Sequence, residues 1–289
     1  MNFKQSVFLF LSFLLLYSCR DSSPDHPNNL LREYDFDPEI ATIIKLPESL
    51  KEISGLALLR GDELLTHNDE EGIIYKFNIN SGEITGQIKI GDENIKKDFE
   101  GIAAVKDSAY LVTSNGIIYK FFITHNDERA DFVKFKIFLD RGNDIEGICY
   151  DAHTNALLLA CKNDPGKGYK NVRAVYTFNL SKMSLERTPR FLISLEELQK
   201  KFNIMGFAPS GIEINPITNT FFIISTNPEA ILEISPDGEI LNALKLNKKI
   251  HKQTEGITFL KDGSLVISDE GQKKSAQIAI IKLKEKKFK

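Results

Sequence analysis

Three glutamates, Glu100, Glu146 and Glu255, each stand directly before a glycine and an isoleucine. Two serines, Ser54 and Ser210, hold the same place before Gly-Leu and Gly-Ile. Two residues ahead of these positions lie Glu52, Asp98 and Asp144, with Ala208 and Gln253 in the remaining copies. Some 14 to 17 residues further on comes a second polar set: Asn68 and Asp69, Asn115, Asn163 and Asp164, Asn227, Asp269 and Glu270. If the copies surround one axis, these side chains make a ring of carboxylates and amides. Converging carboxylates must protonate, pair with Lys or Arg, or hold a cation. No motif position carries Lys or Arg, so the pattern favours a cation. Oxygen-only donors select a hard ion, and loose coordination by about six to eight oxygens suits Ca²⁺ better than Mg²⁺. The candidate ligands are Glu100, Glu146 and Glu255, with Asp98, Asp144, Asn115, Asn163 and Asp269 as secondary ones. A structural role is the alternative, each Glu accepting backbone N–H bonds from the neighbouring repeat.

What would position such a ring is legible in the spacing. Gly55, Gly101, Gly147, Gly211 and Gly256 lie 46, 46, 64 and 45 residues apart, a period typical of propeller blades. Within the second repeat, strands are expected at Glu100 to Val105, Ala109 to Thr113, Ile117 to Ile123 and Phe132 to Leu139. Lys106-Asp107-Ser108 and Ser114-Asn115-Gly116 supply the turns between the first three. Gly72-Ile73-Ile74-Tyr75-Lys76-Phe77 repeats Gly116-Ile117-Ile118-Tyr119-Lys120-Phe121. The chain is therefore read as all-β, a five-bladed β-propeller of four-stranded antiparallel blades. The fifth repeat ends one strand short, and Glu39 to Leu46 is strand-like with no other home. That segment is expected to complete the last blade and leave no edge unpaired. The extra length of the third repeat contains Ser194-Leu195-Glu196-Glu197, a capping box opening a helix to about Phe202. This helix is expected on a face of the disc, as a lid or as packing. The motif glycines are assigned to close backbone approach at the axis.

Outside the propeller, assigned to 38–289, the chain reads as an export signal over 1–18 and a lipidated Cys19 followed by a flexible spacer to 37. Lys4, the apolar run Val7 to Tyr17 and Ser18 before Cys19 carry this reading: the run is too short to span a bilayer and has secretory flanks. Leu16-Tyr17-Ser18-Cys19 resembles a lipobox. Arg20 to Leu31 is rich in Asp, Ser, Pro and Asn and lacks the apolar content to fold alone. A lipid anchor at Cys19 would tether the protein to an envelope membrane, the outer rather than the inner. The net charge of −3 and the lack of a basic block interleaved with aromatics argue against nucleic acid as a partner. Lys284 to Lys289 read as a solvated tail.

Other chemistries find little support. The five histidines, His26, His67, His125, His153 and His251, lack paired zinc spacing, and no nucleophile elbow, H-E-x-x-H or phosphate loop occurs. Asp69 to Gly72 is a poor Ca²⁺ loop and reads as a hairpin turn. Cys149 and Cys161 fall on consecutive strands at an odd offset. Their side chains then leave opposite faces, so free buried thiols are expected rather than a bridge.

At Asp98 to Ile102, Asp144 to Ile148, Pro209 to Glu213, Thr254 to Phe259 and Ser268 to Glu270 the chain resembles the SdiA-regulated, YjiK-like family, a distant relation of NHL-repeat propellers. The resemblance runs from about Ile40 to Leu283. It implies a five-bladed propeller, a Ca²⁺ site to which Glu100, Glu146 and Glu255 contribute, and membrane association. Two functions are compatible with all of this. One is a non-enzymatic, Ca²⁺-binding envelope lipoprotein, monomeric, that recognises a small molecule or an envelope protein. The other is a metal-dependent hydrolase, a lactonase or phosphoesterase, using the carboxylates at the channel mouth.

Overall fold

The computed structural model describes residues 29–93, 95–123, 129–272 and 274–285. The residues read as an export signal, Cys19, and the part of the expected spacer up to residue 28 lie outside them. One rule runs through the described residues: each repeat folds into an antiparallel sheet whose first strand is innermost. The first blade comprises Ile53–Arg60, Glu63–Asn68, Ile73–Asn78 and Glu83–Ile90. Phe99–Val105, Ser108–Thr113, Ile117–Phe122 and Phe132–Lys136 form the second. The third has Ile145–Asp151, Ala156–Cys161 and Val172–Asn179, and its outer place is shared by Ser184–Leu185 and Phe191–Ser194. Pro209–Ile214, Phe221–Thr226, Glu229–Ile234 and Ile240–Lys245 form the fourth.

The fifth blade is made from both ends of the chain. Thr254–Phe259, Leu265–Asp269 and Gln277–Ile281 are followed outward by Thr42–Lys45, with Thr42 opposite Ile280 and Lys45 opposite Gln277. The closing strand expected at 39–46 is thus in place. The core is not one mass but five wedges, each filled by the facing sheets of two neighbouring blades. The wedge between the fifth and first blades, with Val266, Ile278, Leu56 and Leu64, closes the circle.

Sterics at the axis explain the glycines. A Cβ on Gly55 would stand 2.7 Å from the Ile102 nitrogen, and one on Gly256 2.6 Å from the Ser54 carbonyl oxygen. Both contacts cross to the next blade, and the second joins the last blade to the first. Cys149 pairs with Leu158 across the hairpin, which puts Cys161 on the other face; both thiols are free and buried. Burial in apolar surroundings raises both thiol pKa values.

Two regions depart from expectation. The stretch read as spacer through residue 37 is docked over its last part. Leu31 and Tyr34 are buried, and Leu31–Glu33 is a 3₁₀ turn. The backbone N–H groups of Leu30 and Leu31 donate to Glu233 at 3.1 and 2.7 Å. The Tyr34 hydroxyl donates to the Gly263 carbonyl at 2.6 Å and accepts from Asn215 at 3.0 Å. Its ring packs on Phe222 and Phe259. Polar composition concealed this, because two apolar side chains and a few backbone bonds suffice to dock a short segment on a finished surface. The second departure is Arg129–Ala130, which pairs in parallel with Lys89 and Ile90 and so lends the first blade a fifth strand from the second repeat.

The helix over Leu195–Phe202 starts where expected, with the Ser194 hydroxyl accepting from the Glu197 N–H at 3.2 Å. Leu195, Leu198 and Phe202 enter the wedge between the third and fourth blades, so the helix packs the disc. Glu197 does not complete the reciprocal cap; it pairs with Lys201 at 2.8 Å.

Removing the N-terminal segment through Lys45 exposes the edge at Gln277–Ile281 and strips Leu31 and Tyr34 from their wedge. Such a chain is expected to lose cooperative unfolding or to aggregate. Tyr34→Ala alone should cost about 3–5 kcal/mol. Denaturant melts of both against a chain beginning at Asn29 decide this. A truncated chain with an unchanged midpoint would mean that the closing strand carries no stability.

Candidate functional site

The five motif triads, Ser54 excepted, line one narrow axial channel. Its cavity volume is about 10 Å³, roughly the space of a single water. Nothing larger than a water or a bare ion fits between the inner strands, so any larger ligand must sit at a mouth. Glu100, Glu146 and Glu255 stand together at one end, as the spacing requires.

The two serines and the three glutamates behave differently. Ser54 Oγ donates to the Glu100 carbonyl at 2.8 Å and Ser210 Oγ to the Thr254 carbonyl at 2.6 Å. Each serine therefore staples its blade to the next. Among the described residues, no backbone N–H reaches the carboxylates of Glu100, Glu146 or Glu255. The structural role weighed from sequence belongs to the serines.

One basic side chain does enter the ring. Lys162, at the end of the second strand of the third blade, donates to Glu146 Oε1 at 2.8 Å. This corrects the expectation that the ring lacks a basic partner. Lys162 holds no motif position, and only the return of its strand to the channel mouth brings it there. Glu100 and Glu255 have no ion-pair partner among the described residues.

Charge and burial therefore conflict. The Glu100 carboxyl is held well above the usual carboxylate range, first by burial and then by the nearby Glu146, Asp98 and Glu255. Burial also raises Glu146, and outweighs the opposing pull of Lys162. Glu255 is pushed up to about 8 by burial and by Glu146, against a hydrogen bond from Gln253 and the Lys162 charge. Burial pulls Lys162 down, but the charge and hydrogen bond of Glu146, together with Asp144 and Glu255, leave it raised.

The secondary candidates divide. Asp98 and Asp144 stand close enough to raise the carboxyls of the ring, although Asp98 also accepts from the Ser114 hydroxyl and Asp144 from the Asn163 amide at 2.9 Å. Asn115 is taken up by the Thr113 hydroxyl at 2.8 Å. Asp269 is buried and faces His251 at 2.9 Å while accepting from the Lys252 N–H at 2.9 Å, so it braces the entry to the fifth blade. Among the described residues, no three of His, Cys, Asp and Glu are arranged as a metal-holding group.

A neighbouring part of the rim is short of donors. Asn68 Oδ1 and Asp69 Oδ1 are buried and without a hydrogen-bond partner. Asp69 is pushed up to about 6, by burial and then by Glu52, Glu270 and Glu70. His67, the histidine at this mouth, is unsuited to act as a base. Its Nε2 accepts from the Gly55 N–H at 3.3 Å and its Nδ1 faces the Asn68 carbonyl at 2.9 Å. Burial lowers its pKa to about 4.

Residues 187–288 match the SdiA-regulated family. This agrees with the resemblance carried by the motifs, and it covers about a third of the chain. Among solved structures, Myxococcus xanthus glutaminyl cyclase is 12% identical with a TM-score of 0.56, over 84% of this chain and 96% of that one. A glucose dehydrogenase is 10% identical with a TM-score of 0.55, over 84% and 100%. A Bacteroides caccae protein of unknown function is 16% identical with a TM-score of 0.43, over 72% of this chain and 65% of its own. The chain thus spans just under two thirds of that last protein. At such identities the first two likenesses speak to the fold alone.

Raised carboxyl pKa values make stability fall with pH. The gain is complete below the unfolded value near 4.5 and is lost as pH rises through the folded values. In cation-free buffer the melting temperature should therefore drop between pH 5 and pH 8.5, on the order of 5 °C or more. Glu255→Gln should flatten that slope. A wild-type curve that is flat or rising over this window would refute the electrostatic description of the ring.

Proposed function

We propose that the protein is a lipid-anchored envelope binding module, non-enzymatic, whose channel mouth takes up a hard divalent cation, Ca²⁺ foremost. The observation that carries this is the unbalanced charge of the ring: a buried Glu146 and the half-buried Glu100 and Glu255 share one lysine, and Glu100 and Glu255 have no cation of their own among the described residues. The donor chemistry fits, since every candidate is an oxygen, and the unpartnered Asn68 and Asp69 oxygens add acceptors to the same rim. The fit is incomplete in one respect, because Lys162 occupies Glu146 and the side chains do not surround a common point. Glu100, Glu146 and Glu255 would hold the ion; bound there, it would supply positive charge to the mouth and link three blades.

A metal-dependent hydrolase is the second reading. In its favour, Glu100 is raised far enough to stay protonated at neutral pH and could serve as a proton donor. Against it, His67 is buried and neutral, and the axial channel admits no substrate. Assays against lactones and phosphoesters with and without Ca²⁺ separate the two: turnover that disappears in Glu100→Gln selects the hydrolase.

An ion that binds the folded ring and not the unfolded chain raises the melting temperature by mass action, about 2.7 kcal/mol at 100 times its Kd. Ca²⁺ added to chelator-treated protein is therefore expected to stabilise it, and Glu146→Gln to weaken that response. A melting temperature indifferent to Ca²⁺, together with a more stable Glu146→Gln, would refute the cation site.

Tethering has its own test. Cys19→Ser should block processing or release the protein from the membrane fraction. Membrane retention at the wild-type level would refute the anchor.

A further inference from the structure

At the end of the channel opposite the glutamate ring lies a second cavity of about 250 Å³, to which all five inner strands contribute. The residue two places after each motif glycine is Ala57, Ala103, Cys149, Glu213 and Thr258. Ala57, Ala103 and Thr258 are small and border the cavity, whereas Cys149 turns into the wedge between the third and fourth blades. Glu213 is the one carboxyl among them. Leu58, Ile214 and Phe259 join Ala57 and Ala103 in walls that are mostly hydrocarbon.

Glu213 is poorly served by the protein. One oxygen accepts the N–H of the adjacent Ile214 at 2.9 Å, and the other has only a long contact from the Thr258 hydroxyl at 3.4 Å. Among the described residues no Lys, Arg or His forms an ion pair with it, and Lys261, which also borders the cavity, is exposed. Burial pushes its carboxyl up to about 7. Glu233, two strands further on in the same blade, shows what a structural buried carboxylate looks like here. It accepts from the Leu30 and Leu31 N–H groups and from the Thr220 hydroxyl at 2.8 Å, and these bonds hold the N-terminal segment in place. Glu213 secures nothing comparable. A carboxyl taken from water without compensation destabilises a fold, and in this one it faces a cavity.

We infer that this cavity is a binding site for a small primary ammonium compound with an apolar body, its charge on Glu213 and its hydrocarbon against Ala57, Ala103, Leu58, Ile214 and Phe259. The chemistry of the walls makes the choice. A hard metal ion needs about six to eight oxygens, and this cavity offers one carboxyl in apolar surroundings. A carboxylate ligand would be repelled by Glu213. The volume falls just below the range of about 300–1,000 Å³ typical of drug-sized ligands, which suits a compound of amine-metabolite size.

Calorimetric titration of the mature chain at pH 8, with phenethylammonium chloride and with phenethyl alcohol, tests this. The ammonium is expected to bind at least ten-fold more tightly than the alcohol. Glu213→Gln should abolish the difference, and Ala103→Leu, which fills the cavity, should abolish binding of both. Glu100→Gln, at the opposite mouth, should change neither, which separates this site from the cation ring. Thermal melts confirm that each variant is folded; Glu213→Gln is expected to melt no lower than wild type, because it removes a half-buried charge without an ion-pair partner among the described residues. Absence of ammonium binding to wild type, equal affinity for the alcohol, or binding that survives both Glu213→Gln and Ala103→Leu would each overturn the inference.

Discussion

Everything in this molecule depends on how closely five inner strands approach one another. Backbone from one blade touches backbone from the next at the motif glycines, and at Gly55 and Gly256 a single Cβ would sit inside van der Waals contact with it. This constraint fixes the channel at the width of a water, aligns the residues on either side of each glycine, and forces the wedges between blades to fill with the branched side chains that follow. Thr42–Lys45 crosses to the last blade and completes it. The seam between the fifth and first blades is held by the wedge around Val266 and Leu56 and by the Gly271 N–H, which donates to the Lys51 carbonyl at 2.8 Å.

The same closeness sets the electrostatics. Carboxyls placed before the glycines cannot avoid each other or retain full hydration, so their protonation is tied to burial and to mutual repulsion. The structure meets buried charge in three ways. Glu233 is satisfied by backbone N–H groups of the docked N-terminal segment, and its cost is offset by what it holds. Glu146 is paired with Lys162. Glu100, Glu255 and Glu213 are left with little, and they face the two ends of the channel. Among the described residues, unmet burial thus concentrates at the two mouths, where a ligand could enter.

Much of the architecture was legible in the residues because a propeller repeats one local problem five times. The period of the glycines, the hairpin residues Ser114 to Gly116, and the near-identity of Gly72 to Phe77 with Gly116 to Phe121 each reported the same blade independently. The missing strand was legible by elimination. The helix start was legible because a Ser hydroxyl that caps an N–H three residues on is a local interaction. What escaped was contact between parts distant in sequence. Tyr34 reaching Gly263, and Arg129–Ala130 pairing beside Lys89, depend on surfaces that exist only after the blades have folded.

For the site the division is sharper. Sequence alone determined which residues stand at the axis, since type and spacing suffice once the repeat is recognised: Glu100, Glu146 and Glu255 at one mouth, and glycine after each because no side chain fits. Tertiary structure decided what those residues experience. It brought Lys162 to Glu146 from a strand end with no motif signature, turned Asp269 toward His251, gave the stapling role to Ser54 and Ser210, and left Glu213 facing an apolar cavity. The physical reason is range. Spacing along a strand follows from covalent geometry and hydrogen bonding within a hairpin, whereas pairing and burial of a charge depend on which side chains other blades deliver within a few ångströms, and nothing local encodes that.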